Sequence, residues 1–366
     1  MLAPPSQFDL AIIGAGPAGS SAAITAARLG ARVVLSEARD FPRHKVCGEF
    51  VSAEALDVLA GLLRDIPSAK ALFDDAPIID RTRLLLGTRI IEAPVLPAAL
   101  SITRYDLDEH LWKAAQVAGV ETRANCEVLA GDGDGPFQVR TSSGEFAVKA
   151  LIVAAGRWSQ FTFDRTLPPG PKWIGLKLHF RERDAARSTD LYFFDNGYCG
   201  VQPVAKDIVN ACAMVRSDMA TSLQEVFGLH PQLARRTADW EALTSPVSTA
   251  PLIYRPPQPV RGNVIFVGDA AAFIDPFAGD GISIALRSGQ AAGQWVSKFL
   301  GGEMTLPESS AAYEREYARR FAPLLSAASR VRSLMSLPVF AKVAAFELLR
   351  FPGVMPLVIR KTRRAG

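Results

Sequence analysis

The sequence predicts an α/β fold with two sheets and a helical C-terminal segment. One sheet is mixed but mainly parallel, in βαβ order; the other is antiparallel and inserted into it. Three observations predict this. A strand, glycine turn, helix and second strand open the chain at residues 8–37. Another strand, a glycine-bearing loop and a small-residue helix fill residues 263–293. Between them, residues 76–99 and 171–254 alternate short apolar runs with polar residues, as half-buried antiparallel strands do.

Bulk composition bounds the rest. Hydrophobic residues make up 49% and charged residues 21% of the 366 positions, so the chain can bury a full core. The net charge of +4 is too weak to argue for nucleic acid, and Arg360, Lys361, Arg363 and Arg364 supply much of it. Cys47, Cys126, Cys199 and Cys212 show no C-x-x-C spacing and the histidines are scattered, so neither a metal site nor a disulfide framework is expected. The N-terminus lacks a basic stretch and runs straight into the glycine motif. No signal peptide is expected, and the reducing cytoplasm is the expected compartment.

In the first unit, Phe8 to Ile13 reads as a buried parallel strand, and Gly14-Ala-Gly16-Pro-Ala-Gly19 follows at once. Gly14 permits the tight turn, Gly16 lets backbone approach a pyrophosphate, and Gly19 lets helix and strand pack closely. The helix N-terminus offers free N–H groups to phosphates. The helix stops at Gly30, Arg32 to Leu35 forms the second strand, and Glu37 lies about 20 residues past the motif, where an acid binds ribose hydroxyls. This is a Rossmann-like dinucleotide site. The motif alone does not choose between FAD and NAD.

In the later unit, Asn263 to Val267 reads as a buried strand ending at Gly268-Asp269, with a loop through Pro276 and Gly279 to a helix at Gly281. A carboxylate at a strand end can hold ribityl hydroxyls. The N–H groups of Gly281 and Ile282 can stabilise a flavin edge that gains negative charge on reduction. "ALIVAAGRWS", residues 150–159, reads as a strand ending in a glycine turn. Asp106 is expected to cap a helix running to Ala118, with Arg104 just ahead of it, either reaching a cofactor phosphate or lying on the surface.

Taken together, "FPRHKVCGEFVS", "GDAAAFIDPFAGDGISIALRSGQAAG" and the N-terminal motif resemble the FAD-dependent geranylgeranyl reductase family, within the p-hydroxybenzoate hydroxylase-like flavoproteins. The resemblance implies FAD as cofactor. It implies that Cys47 and Gly48 line the isoalloxazine, Glu37 binds the adenosine ribose and Ala18 sits beside the pyrophosphate. Arg104 would contact FAD, Val128 the adenine side, and Asp269, Gly281 and Ile282 the ribityl–flavin region. Lys45 and Glu49 are expected to form an exposed pair of little weight.

Two departures bear on the reaction. Ala155-Gly156 stands where the related hydroxylases carry Asp-Gly. "YCGVQPV" keeps Tyr198 and Pro203 of the Y-x-W-x-F-P segment of prenyl-lipid reductases, but has Gly200 and Gln202 in place of its aromatics, which widens the pocket or makes it more polar. The G-W-x-W-x-I-P segment of the flavin halogenases is missing from the sequence.

The expected organisation is a discontinuous FAD-binding domain (1–75, 100–170 and 255–300), a substrate-binding sheet domain (76–99 and 171–254) and a helical segment (301–366). The sheet's aromatics and His179 read as core residues. The apolar-then-basic C-terminus reads either as a helix packed on the FAD domain or as a peripheral membrane contact. The expected chemistry is hydride transfer from reduced FAD to a carbon–carbon double bond of an apolar small molecule. Cys47, Tyr198 or water would supply the proton. Rival readings are a monooxygenase and an electron-transfer module. No second G-x-G-x-x-G follows a strand, so NAD(P)H or a protein is the expected transient electron donor.

Overall fold

The computed structural model describes residues 7–157, 170–273 and 279–335, together with Val343 and Glu347. In chain order it begins with β1 (Leu10–Ile13), α1 (Pro17–Arg28), β2 (Val33–Ser36), β3 (Phe50–Val51), α2 (Ala53–Leu63) and α3 (Ala69–Asp74). Next come β4 (Ile78–Leu86), β5 (Arg89–Ser101), α4 (Arg104–Val117), β6 (Glu121–Arg123), β7 (Val128–Asp132), β8 (Phe137–Thr141), β9 (Gly144–Val148) and β10 (Ala150–Val153). The strands β11 (Trp173–Arg181), β12 (Ser188–Phe194), β13 (Gly197–Ala205) and β14 (Ile208–Arg216) follow, then α5 (Leu223–Gly228) and α6 (Pro231–Arg236). The chain continues through β15 (Glu241–Ala242), β16 (Val247–Thr249), β17 (Val260–Arg261), β18 (Val264–Phe266), α7 (Gly281–Leu300) and α8 (Leu306–Met335).

The first sheet has the order β17-β18-β10-β1-β2-β6 and is parallel except at its β17 edge. Its central strand is buried along its length, as a parallel strand covered on both faces must be. β1 pairs with β2 on one side and with β10 on the other, so the crevice at their C-terminal ends is where this topology binds ligands. A small antiparallel meander, β7-β8-β9, packs Phe137, Val139 and Val148 into the same core. The fold is α/β with a Rossmann-like sheet and a second, largely antiparallel one, as expected.

The second sheet has nine strands, ordered β15-β11-β14-β13-β12-β4-β5-β3, with β16 also on β11. One pair, β12 with β4, is parallel, because the chain leaves β5 for the first sheet and the small meander and returns at β11. The two faces differ. Leu176, Leu178, Val209, Ala211, Ala213 and Val215 pack against Val226, Phe227 and Leu233 of α5 and α6. These two six-residue helices interrupt the stretch expected to be mostly antiparallel sheet; they are too short to show a helical period. On this side Asp190 is buried and accepts hydrogen bonds from Arg83, Arg236 and Ser188, tying β4, β12 and α6 together. The opposite face, by strand alternation, carries Gly175, Lys177 and His179 on β11, and Asn210, Cys212 and Met214 across from them on β14.

Small residues set the helix packing. A Cβ on Gly289 of α7 would lie 2.1 Å from the carbonyl oxygen of Ala18, and one on Gly293 2.7 Å from that of Ala22. The Ser21 hydroxyl donates to the Leu286 carbonyl at 2.7 Å across the same contact. Among the described residues no helix is long and apolar enough to cross a membrane. The expected C-terminal membrane contact falls on residues outside those described.

Gly289→Ala forces the α1 and α7 backbones apart. It is expected to destabilise the protein by about 2–3 kcal/mol, read from the midpoint of urea unfolding, whereas Gly228→Ala, whose Cβ meets nothing within 4 Å, leaves the midpoint within about 0.5 kcal/mol of wild type.

Candidate active site

The glycine turn has the shape its sequence implies. Gly14 has φ +95°, and a Cβ there would lie 2.6 Å from the Ala154 carbonyl oxygen; one on Gly19 would lie 1.9 Å from the Gly14 oxygen. α1 therefore starts hard against β1 and β10. Gly16 differs: the nearest atom to its Cβ position is Arg104 Nη2 at 3.9 Å. Gly48 and Gly281 would present a Cβ to nothing within 4 Å. These three open backbone positions, two of them at helix N-termini, fit a dinucleotide cofactor that approaches backbone. Ala18 is buried on the first turn of α1, and Ile282 on the first turn of α7.

Glu37 follows β2, and its carboxylate is heavily engaged. It accepts from Ala15 N (3.0 Å), Arg39 N (3.2 Å) and both terminal nitrogens of Arg43 (2.6 and 2.8 Å). Burial pushes its pKa up, but the Arg43 charge and hydrogen bonds, with the charge of Lys45, hold it below the ordinary value. Arg43 and Glu37 thus form one bidentate pair just past β2. Val128 begins β7, two residues past Cys126, whose N–H donates to the Glu37 carbonyl at 2.8 Å.

Arg104 is not ahead of a helix cap. Thr103 is the cap, accepting from Asp106 N, and Arg104 is the first helical residue. Threonine won because its hydroxyl sits three residues before that N–H, the spacing capping requires. Arg104 is buried, and its guanidinium grips Asp108 through two bonds (2.8 and 2.6 Å) while facing Gly16. Lys45 is partly buried among Arg43, Arg104, Glu37 and Asp108; burial and the two arginine charges lower its pKa to about 8.

Glu49 overturns the expectation of an exposed pair with Lys45. Its side chain is 0% exposed and Lys177 is 1% exposed. One Glu49 oxygen accepts from Lys177 Nζ and from Arg104 N (2.8 Å), and the other from His179 Nε2 (2.7 Å). Burial raises the carboxyl's pKa, but His179 and Lys177 outweigh it and keep it below the usual range. His44 Nδ1 lies 3.5 Å from Lys177 Nζ; burial, then the charges of Lys177 and His179, lower its pKa to about 4. His44, Glu49 and His179 have ligand atoms within 4.8 Å of one another, a spacing suited to a metal, but the Lys177 ammonium already supplies the cation that Glu49 needs. The sequence signal was present and misread. In "WIGLKLHF" the lysine and histidine are two apart, so they share one face of the strand.

Cys47 accepts a 3.3 Å bond from Glu49 N and lies beside Arg104. Asn210, which the sequence did not single out, donates to the carbonyls of Cys47 and Gly48, both at 3.0 Å. Two steps along the same face of β14, Met214 joins Tyr198 and Leu252 in an apolar cluster with Trp173, Leu191, Phe193, Tyr254 and Phe273. Asp269 has 42% of its side chain accessible, and desolvation by the surrounding protein raises its pKa against the pull of Arg157 3.8 Å away. Arg157 also stacks over Phe273 at 4.3 Å and donates to Thr249. The chain therefore brings together Gly14, Gly16, Gly19, Glu37, Cys47, Gly48 and Arg104, and places Tyr198 in the apolar cluster with Met214 and Leu252.

A family model described as FAD dependent oxidoreductase matches residues 9–49, the glycine turn through Glu49. Menaquinone reductase of Mycolicibacterium smegmatis is 26% identical over 97% of this chain and 91% of its own length. The chain is an FAD-dependent oxidoreductase. This oxidoreductase is also 26% identical to conditioned medium factor receptor 1 of Dictyostelium discoideum, of whose length it spans 62%. Its fold matches the flavin-dependent brominase Bmp2 with a TM-score of 0.79, at 22% identity, over 97% of this chain and 93% of that one.

The oxidoreductase is expected to lose stability on acidification in two stages. His44 takes up its proton near pH 6.5 when unfolded but only near pH 4 when folded, so the unfolded state binds more protons between those values and stability falls as pH drops through them. His230, also held low by burial, acts with the same sign. Glu49 and Glu37, depressed in the fold, extend the loss below about pH 4.5. Urea titrations at pH 7, 5.5 and 4 test this. His44→Asn should flatten the upper stage, and an unchanged slope in that variant would contradict the assignment.

Proposed function

We propose that this oxidoreductase reduces a carbon–carbon double bond in an apolar, prenyl-like or polyketide-like small molecule, as the resemblance to the geranylgeranyl reductase family implies. The observation that carries the reading is the apolar wall of Tyr198, Met214, Leu252, Trp173 and Phe273, reached along β14 from the Asn210 that grips Cys47 and Gly48. Likeness to a menaquinone reductase over nearly all of both chains supports it.

FAD, when bound, would supply the hydride. Glu37, the amides of α1 and α7, Arg104 and Asp269 would hold it, and the open glycine positions would leave it room. The apolar wall takes the substrate's hydrocarbon and excludes water. Gly200 leaves less room than the missing aromatic suggests: a Cβ there would lie 3.3 Å from Leu191 Cδ2, tighter than ordinary contact, and 3.6 Å from the Cys212 carbonyl oxygen, so Leu191 fills that space. Cys47 is the better-placed proton donor on the cofactor side, and Tyr198 the donor on the substrate side. NAD(P)H or a partner protein delivers electrons transiently. The four free cysteines accord with a reducing, cytoplasmic setting, and the basic C-terminus with peripheral contact to a membrane that stores such substrates.

Oxygenation is the second reading, and the fold shared with a flavin-dependent brominase keeps it in view. One experiment separates them. Enzyme reduced without oxygen is mixed with a prenylated quinone, and flavin absorbance and product mass are followed. Flavin reoxidation is expected, with a product that stays heavier by two hydrogens after any quinol is chemically reoxidised to the quinone, which places the added pair on a carbon–carbon double bond of the side chain. No anaerobic reoxidation, together with an oxygenated product once air is admitted, would overturn the reductase reading.

A further inference from the structure

Side chains from residue 43 to residue 47 alternate between two bodies. Arg43, Lys45 and Cys47 turn to the nucleotide domain, meeting Glu37, the Arg43–Arg104–Asp108 charges and Arg104 respectively. His44 and Val46 turn to the second sheet. His44 sits by Lys177, and Val46 Cγ1 lies 2.9 Å from where a Gly175 Cβ would be. The segment is thus a seam, with the cofactor side on one flank and the substrate sheet on the other.

Glu49 ends the seam in an unusual way. Its φ is +64°, a left-handed conformation that a residue with a Cβ rarely adopts. There its carboxylate meets Lys177 and His179 of β11 and the backbone of Arg104 on α4. The carbonyls of residues 47, 48 and 49 are also all held. Asn210 donates to the first two, and Ile102 N (3.0 Å) and the Ser101 hydroxyl (3.4 Å) donate to the third. A buried ion pair stabilises a fold no better than packed hydrocarbon, and a strained non-glycine backbone costs stability outright. Both sit at the segment beside the cofactor, and both point the Cys47–Gly48 peptides in one direction.

We propose that Glu49, Lys177 and His179 are positioning residues: they lock the Cys47–Gly48 segment to the substrate sheet and so set the wall against which cofactor and substrate meet. The proposal rests on reading that segment as the cofactor-facing wall. It assigns the three residues no contact with substrate.

The test uses full-length Glu49→Gln, Lys177→Met and the double variant, with three readouts. Cys47 alkylation by iodoacetamide is timed in FAD-free protein and located by peptide mass spectrometry. The visible spectrum and reduction potential of added FAD are measured, and urea stability is recorded. Each single variant should speed Cys47 alkylation about tenfold or more, since a segment loses its protection when its local opening becomes easier. Each should also shift the flavin spectrum. The double variant should recover stability, because no buried charge is left without its partner, yet keep the fast alkylation and shifted spectrum. Wild-type alkylation rates in the single variants, or a double variant that regains the native rate and spectrum along with stability, would overturn the proposal. Alkylation that changes as expected in a protein that takes up no FAD would support the lock and instead defeat the cofactor reading.

Discussion

The closeness of α1 to the strands beneath it is the constraint from which the cleft follows. Only hydrogen at Gly19 tolerates the Gly14 carbonyl at that separation, and only hydrogen at Gly289 lets α7 lie against the Ala18 carbonyl. The two helices therefore pack backbone to backbone, with Ser21 bonded across the contact. Close packing brings the N-terminus of α1 to the end of β1, and that of α7 beside the 3-10 turn bearing Asp269. Two sets of free amides then face one crevice, and their partial positive charge suits a pyrophosphate at one end and an electron-rich ring at the other.

Charge around this crevice is arranged in two layers. Along the crevice beside α1, two buried acids each have a basic partner: Glu37 with Arg43, and Asp108 with Arg104. Lys45, crowded by arginines, is the group whose charge is least secure. Behind the seam, Glu49 collects Lys177 and His179 out of contact with water. A carboxylate so deep survives because each oxygen has a charged or polar donor; the cost of removing it from water is met by those bonds. The same cluster ties the segment that leads into β3 to β11 and to the start of α4.

Local signals were read well where one segment contains its own explanation. The turn Gly14–Gly19, the strand ending at Asp269 and the helix from Gly281 each declare themselves within a few residues, because close approach and helix starts demand particular residue types at fixed spacing. The errors came where partners are distant in sequence. Lys45 and Glu49 look like an exposed pair four residues apart, but Glu49 pairs with residues 128 and 130 positions later, and Lys45 lies among arginines. His179 looks like a satisfied core residue, and it is, but by a carboxylate 130 positions earlier in the chain. Asn210 and Asp108 passed unnoticed for the same reason. The helix cap at Thr103 was missed by a simpler route, since Asp106 is also a capping residue type.

The sequence alone determined the nucleotide-binding half: which strand meets which glycine turn, and that small residues line α1 and α7. Steric exclusion acts over a few residues and leaves its mark on residue type. Tertiary structure alone decided which charges pair, which face of β11 meets the seam, and that Tyr198 stands in an apolar cluster with Met214 and Leu252. Those outcomes depend on how two sheets dock, and the docking brings together side chains that no spacing along the chain connects.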